Sequence, residues 1–168
     1  LLSRGLGDVY KRQVLSFEPK INDKNKILSV SGGLLIQSAD NKIITEDNLE
    51  VVTKKVPHKE EIQNALFAWK VCKYVKSNAI VFAASEQTLG IGAGQMSRID
   101  SGKIAASKAK EFGFSLNGAS MASDAFFPFR DNVDNAHELG IKCIIQPGGS
   151  IKDEEVIQAA NEADMSML

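Results

Sequence analysis

Four short segments carry side chains whose types and spacing suit chemistry better than core-making. Between Asp124 and Asp131, three phenylalanines, a proline, two aspartates and an arginine fall within eight residues. Phe126, Phe127 and Phe129 follow neither a two-residue nor a 3.6-residue period, and Pro128 cannot donate a ladder hydrogen bond. The whole segment Ser120–Asp131 therefore reads as an irregular turn rather than a central strand. Its composition suits a pocket wall, where a ring stacks on a flat ligand and a carboxylate holds an amine. It suits equally a core-sealing loop with a surface ion pair.

Three further segments have the same double reading. In Gly90-Ile-Gly-Ala-Gly-Gln-Met-Ser-Arg98, alternating glycines between a strand and a helix let a backbone approach a ligand, or simply make a tight turn. The spacing is neither a dinucleotide fingerprint nor a P-loop. Arg98 sits at a helix start, where the dipole disfavours a cation, so an anion held there would explain it. Asn78, in Lys76-Ser77-Asn78, is placed either to cap a helix or to hold an amide or developing oxyanion. Gln146-Pro-Gly-Gly-Ser150 ends a strand and feeds a helix, the position at which open α/β sheets bind anionic or amide-rich ligands and also that of a plain capped connection.

The surrounding pattern says how these segments are positioned. Ile27–Gln37 is strand-like with a bulge or tight bend at Gly32-Gly33, Asp40-Asn41 is a turn, and Leu49–Thr53 reads as a further strand. Pro57 opens a helix whose apolar face is Ile62, Ala65, Leu66, Trp69 and Cys72. Ala79–Ala84 is a buried strand, Ser85–Gln87 a turn and Thr88–Ile91 a second strand. A helix follows from about Ser97 to Phe112, stopped by Gly113. Val133, Ala136 and Leu139 mark a short helix closed by Gly140. Cys143–Ile145 is a buried strand, and Ser150 with Asp153 caps a helix reaching about Ala163. Strands alternating with helices predict a layered α/β fold.

Composition removes several function classes. With 168 residues, 43% apolar and 24% charged, the chain is long enough for a real core of ordinary globular type. A formal charge of −1 without basic runs gives no support to a nucleic-acid partner, and no apolar run reaches a membrane span. Cys72 and Cys143 are far apart, each in an apolar stretch, and read as buried free thiols of a cytoplasmic protein. They form no CxxC, and His58 and His137 are not adjacent to them in sequence, so no zinc site is expected. Leu1–Gln13 shows no period and reads as non-native, adaptor-derived sequence. The chain stops at Met165–Leu168, at what reads as the start of a strand, so truncation at both ends is expected, with 14–168 as the native part.

Taken as blocks in order, Val52-Thr-Lys54, Phe67-Ala-Trp-Lys70, Val75-Lys-Ser-Asn-Ala-Ile80, Gly90–Arg98, Ser120–Asp131 and Ile145–Ser150 resemble one family. It is the bifunctional purine-biosynthesis enzyme that joins phosphoribosylaminoimidazolecarboxamide (AICAR) formyltransferase to IMP cyclohydrolase. The resemblance is collinear from about Ile27 to Leu168 and covers the C-terminal part of the formyltransferase region, with the cyclohydrolase domain unrepresented.

The resemblance implies a cytidine deaminase-like α/β/α sandwich without the deaminase zinc signature, and a homodimer with sites at its interface. It implies transfer of a formyl group from 10-formyltetrahydrofolate to the 5-amino group of AICAR. Carried over by motif, Asn78 and Phe126 contact the AICAR nucleotide, Asn78 with a catalytic role. Arg98, Ile99, Asp131, Ser150 and Ile151 line the folate side. Asp124 and Ser77 fall where the family holds a structural potassium ion, although Ala79 replaces a serine found in some members. The family's catalytic Lys-His pair is expected upstream of this chain and its Arg-His segment beyond Leu168. His58 and His137 match neither, so the piece is expected to be catalytically incomplete. A non-catalytic nucleotide- or folate-binding module of the same fold is the alternative.

Overall fold

The structure is a computed structural model that describes residues 24–168 together with Arg4–Gly5, Gln13–Val14 and Ser16. The chain forms two compact units, Leu1–Lys42 and Ile43–Leu168. The expected adaptor-derived stretch falls mostly outside the described residues.

In the first unit, two-residue strands β1 (Arg4–Gly5) and β2 (Gln13–Val14) pair antiparallel. Strands β3 (Asn25–Val30) and β4 (Gly33–Ser38) form a hairpin in which Ile27 faces Ile36 and Leu28 faces Leu35. The bend expected at Gly32-Gly33 is the hairpin turn, with Gly32 at φ +81°, a value that an L side chain resists.

The second unit is built on a mixed sheet of five strands in the order β6-β5-β7-β8-β9. Helix α1 (Lys59–Cys72) precedes β5 (Ile80–Ala84), which turns back antiparallel into β6 (Gln87–Gly92). The turn is Ser85-Glu86, both at positive φ, the twist that a two-residue hairpin requires. Helix α2 (Arg98–Glu111) leads to β7 (Ser120–Ser123), antiparallel to β5. Helices α3 (Asp131–Glu138) and α4 (Asp153–Glu162) then carry the chain to β8 (Cys143–Ile145) and β9 (Ser166–Met167), each parallel to the strand before it.

The two-residue period of the strands sorts side chains into two cores. Ile80, Phe82, Met121, Ile144 and Met167 pack with residues of α2, α3 and α4. Val81, Ala83, Ala122, Cys143 and Ile145 pack with Ala65, Ala68 and Cys72 of α1. The result is three layers, helix, sheet and helices, as the alternation of elements predicted.

Three sequence readings need correction. Ser120–Ser123 is not irregular: it is the fully buried central strand β7, paired on both edges. Pro128 lies beyond it and disqualifies only the downstream half. The serines tolerate burial because Ser120 Oγ donates to the Glu61 carbonyl at 3.0 Å and Ser123 Oγ to the Ala125 carbonyl at 2.7 Å. Leu49–Thr53 is not a strand. Among the described residues, only one ladder-like bond forms, from Val52 N–H to the Met167 carbonyl at 3.0 Å. The next donor of β9, Met167 N–H, goes instead to the Thr53 hydroxyl at 2.9 Å. Finally, α1 begins at Lys59, with His58 rather than Pro57 at the cap, where its N–H donates to the Glu61 carboxylate at 2.7 Å.

Candidate functional site

Strand register brings the chemically suggestive segments to one edge of the sheet. Ile80 lies opposite both Gly92 and Ser123, and Ala122 lies opposite Ile145. The approach to β5 (76–79) and the exits of β6 (93–98), β7 (124–130) and β8 (146–152) therefore meet along a single rim.

At its centre is a bonded cluster of three side chains. Arg98 Nη2 donates to Asn78 Oδ1 at 2.9 Å and to Asp124 Oδ1 at 3.1 Å, and Nη1 reaches the Phe126 carbonyl at 3.4 Å. Asn78 Nδ2 donates to the Gln95 carbonyl at 2.9 Å. The Asp124 carboxylate also accepts from the Ala79 N–H at 2.9 Å. The Arg98 and Asp124 side chains are only 11% and 17% exposed, so neither charge is well solvated and each depends on the other. Arg98 Nε is buried without a protein partner among the described residues.

Burial by itself would raise the Asp124 pKa. Hydrogen bonds from the Ser77 hydroxyl and the Ala79 amide, with the bond and charge of Arg98, outweigh it and hold the carboxyl below its ordinary value. The anion that Arg98 was expected to hold is thus an internal one. This also bears on potassium at Asp124 and Ser77: the guanidinium already supplies the counter-charge, so these two residues do not fit a cation site as they stand.

Other rim residues surround this cluster. Phe126 is 40% exposed, whereas Phe127 is fully buried. Phe129 is half-exposed, with Lys152 Nζ 5.6 Å from its ring centre, within cation–π range. Gln146 ties the β7 and β8 exits together by accepting the Phe127 N–H at 2.9 Å. Ile99 lies half-buried in the first turn of α2. Asp131 is exposed and accepts from the Asn132 backbone and side-chain nitrogens at 2.8 and 2.9 Å. Ser150 is half-buried and Ile151 fully exposed. Asn78, Arg98, Asp124, Ser77 and Phe126 thus form one group, with Asp131, Ser150 and Ile151 on the neighbouring stretch of rim.

Three local readings change. Asn78 is not a helix cap, because α1 ends at Cys72 with Lys73 as its C-cap. Gly90 and Gly92 serve packing rather than ligand approach: a Cβ on either would run into the α2 backbone, at Ala105 O and Ser101 O respectively. In Gln146–Ser150 the donors expected for an anionic ligand are taken, since Gly149 and Ser150 N–H groups bond the Asp153 carboxylate at 2.7 and 3.1 Å.

Sequence reasoning missed two supports. Ser101 Oγ donates to the Asn78 carbonyl at 2.7 Å, and the Gln95 carbonyl accepts both the backbone and side-chain nitrogens of Asn78. Ser101 had a readable signal: it is polar on the face of α2 that buries Ala105 and Ala109. The Gln95 carbonyl had none.

Comparison with known proteins adds the following. A family model described as AICARFT/IMPCHase bienzyme matches residues 7–108. The match begins inside the stretch read as adaptor-derived and ends before the Ser120–Asp131 and Ile145–Ser150 blocks. Among solved structures, similarity is found to a diaminohydroxyphosphoribosylaminopyrimidine deaminase/5-amino-6-(5-phosphoribosylamino)uracil reductase from Thermotoga maritima, with 15% identity, 60% of this chain and 33% of that one covered, and a TM-score of 0.43. RibD of Acinetobacter baumannii gives 17% identity, 63% and 33% coverage, and a TM-score of 0.37. The chain spans about a third of the length of each. Among the described residues, no helix is long and apolar enough to cross a membrane.

Proposed function

This chain belongs to the AICARFT/IMPCHase bienzyme family, and from that premise we propose that its rim is the part of a formyltransferase that binds and orients AICAR beside 10-formyltetrahydrofolate. The observation that carries the reading is the Asn78–Arg98–Asp124 cluster lying against the half-exposed Phe126 at one sheet edge.

The chemistry fits these groups. An aminoimidazole amine conjugated to a carboxamide is a weak nucleophile, so the site must orient it and stabilise the tetrahedral oxyanion formed on formyl attack. Phe126 offers a face for the flat imidazole. Asn78 offers an N–H to a carbonyl or oxyanion. Asp131 accepts from folate N–H groups, with Ile99, Ser150 and Ile151 beside it, and Arg98 contributes positive potential to the folate side. Asp124 is held ionised in its ion pair, so the cluster's part is binding and orientation; proton removal belongs to other groups of the full enzyme. The reading carries with it a deaminase-like sandwich, a cytoplasmic homodimer, and ring closure by a separate cyclohydrolase domain.

Calorimetric titration of AICAR into the chain tests it. Phe126→Ala is expected to weaken binding about tenfold through lost stacking. Equal affinity in the variant would mean that the ring only packs. A binding module without transfer activity is favoured by the same commitment of Asp124 to Arg98. It predicts binding of both ligands and no formyl transfer even when the flanking parts of the full gene are supplied.

A further inference from the structure

Half of the hydrogen-bonding capacity of the Asn78 side chain is assigned, one Oδ1 lone pair and one Nδ2 hydrogen. Its Oδ1 accepts from Arg98 Nη2 and its Nδ2 donates to the Gln95 carbonyl, both at 2.9 Å. Rotating the carboxamide by half a turn would set its NH2 against the guanidinium, donor to donor. It would also set Oδ1 against the Gln95 carbonyl, acceptor to acceptor. Two independent partners therefore fix one orientation, and one Nδ2 hydrogen and one Oδ1 lone pair remain. The lone pair lies beside the Arg98 cation, which repels the hydrogen of a further donor, so the Nδ2 hydrogen is the group left for a ligand.

The backbone of Asn78 is held as well, by Ser101 Oγ on its carbonyl at 2.7 Å and by the Gln95 carbonyl on its N–H at 3.3 Å. The movable member of the arrangement is the long Arg98 side chain. Its guanidinium is fixed by the Asp124 carboxylate at 3.1 Å and more loosely by the Phe126 carbonyl at 3.4 Å. Asp124 in turn is anchored to the sheet by the Ala79 N–H at 2.9 Å.

We infer that Asp124 is a positioning residue that acts through Arg98 to lock the Asn78 carboxamide with its remaining N–H free for the ligand, so that this point of the rim selects a hydrogen-bond acceptor. The matching chemical group is a carbonyl oxygen or the oxyanion derived from it. A ligand offering only N–H or O–H donors there would leave the Asn78 donor unpaired, a loss the site cannot recover. The identity of the ligand rests on the formyltransferase reading; the lock does not.

The test uses two variants and two readouts on the full chain. Asp124→Asn keeps the volume and a carbonyl for the Ala79 N–H but removes the charge, and Asp124→Glu restores the charge. The first readout is the side-chain amide resonance pair of Asn78, assigned by its disappearance in Asn78→Asp. In the unmodified chain the two protons are expected to be well separated and slow to exchange with water. In Asp124→Asn they should move toward the positions of an exposed asparagine. The second readout is affinity for AICAR and for the same ribonucleotide with hydrogen in place of the carboxamide. AICAR should bind Asp124→Asn about tenfold more weakly, while the carboxamide-free nucleotide changes less than about twofold. Asp124→Glu should recover most of the loss. An unchanged Asn78 pair, or equal weakening of both nucleotides, overturns the inference. If the unmodified chain binds neither nucleotide, the formyltransferase reading fails, and the Asn78 resonances in Asp124→Asn still decide the lock.

Discussion

Gly92→Ala tests the packing that positions Arg98 and Ser101. A Cβ at Gly92 would penetrate the Ser101 carbonyl of α2, and that atom is helix backbone rather than a flexible side-chain tip. The helix cannot yield at one residue, because Gly90 makes the same approach to Ala105 one turn further on. Overpacking of this kind costs about 1–3 kcal/mol. Moving α2 away also stretches the 2.7 Å bond from Ser101 Oγ to the Asn78 carbonyl, worth about 1 kcal/mol. The sum is a loss of roughly 2–4 kcal/mol, or about 5–15 °C in midpoint for a chain of this size. Trp69, the single tryptophan, lies in the same unit and reports unfolding by fluorescence. Gly102→Ala is the control: it sits in α2, where a Cβ would meet only Asn135 Oδ1 at 3.7 Å, an ordinary contact. It should stabilise by up to about 1 kcal/mol through helix propensity. A Gly92→Ala protein within about 0.5 kcal/mol of the parent would refute the close β6–α2 packing.

The two adjacent phenylalanines should separate cleanly by stability: Phe127→Ala is expected to cost about 3–5 kcal/mol, and Phe126→Ala, at a residue 40% exposed, about 1 kcal/mol. Denaturant midpoints decide it, and equal losses would contradict their assigned faces. Because the Asp124 pKa is lowered in the folded state, its contribution is present above the ordinary carboxylate pKa and disappears as pH falls through the folded value. Asp124→Asn should therefore flatten the acid limb of the stability–pH curve below about pH 4, and an unchanged limb would show that the pair is not coupled to folding. Burial pushes the Cys72 thiol up to about 12 and the Cys143 thiol up to about 11. Both should resist a disulfide reagent at pH 8 until the chain is unfolded; rapid labelling of either without denaturant would contradict their burial.

Much of the architecture was legible because apolar spacing reports it directly. The run Ala79–Ala84 and the Gly113 and Gly140 stops appear in the structure where periodicity and turn chemistry place them. Of the expected α1 face, Ala65 and Cys72 are fully buried while Ile62, Leu66 and Trp69 are partly buried, and Ala68, outside that expected face, is fully buried as well. Ser120–Ser123 escaped because its identity as a strand comes from partners on both sides, and four small residues carry little periodicity of their own. Leu49–Thr53 misled in the opposite sense: its β-branched residues have the propensity, but Met167 N–H chooses the Thr53 hydroxyl, so the ladder does not extend.

At the rim, Asn78, Arg98 and Asp124 were each visible as out-of-place polar residues. Their mutual bonding was not, since it depends on strand register across segments 20 and 26 residues apart. Gly90 and Gly92 show the limit most clearly. A glycine records that something comes close, and the sequence does not say whether that is a ligand or a helix.

In the proposed reading this rim receives the AICAR nucleotide. Heteronuclear spectra of the isotope-labelled chain, recorded as AICAR is added, test it most directly. Saturable shifts are expected at Asn78, Arg98, Asp124 and Phe126, with the Asn78 side-chain amide among the largest. Saturable shifts confined to other parts of the chain, or none at millimolar AICAR, would contradict it.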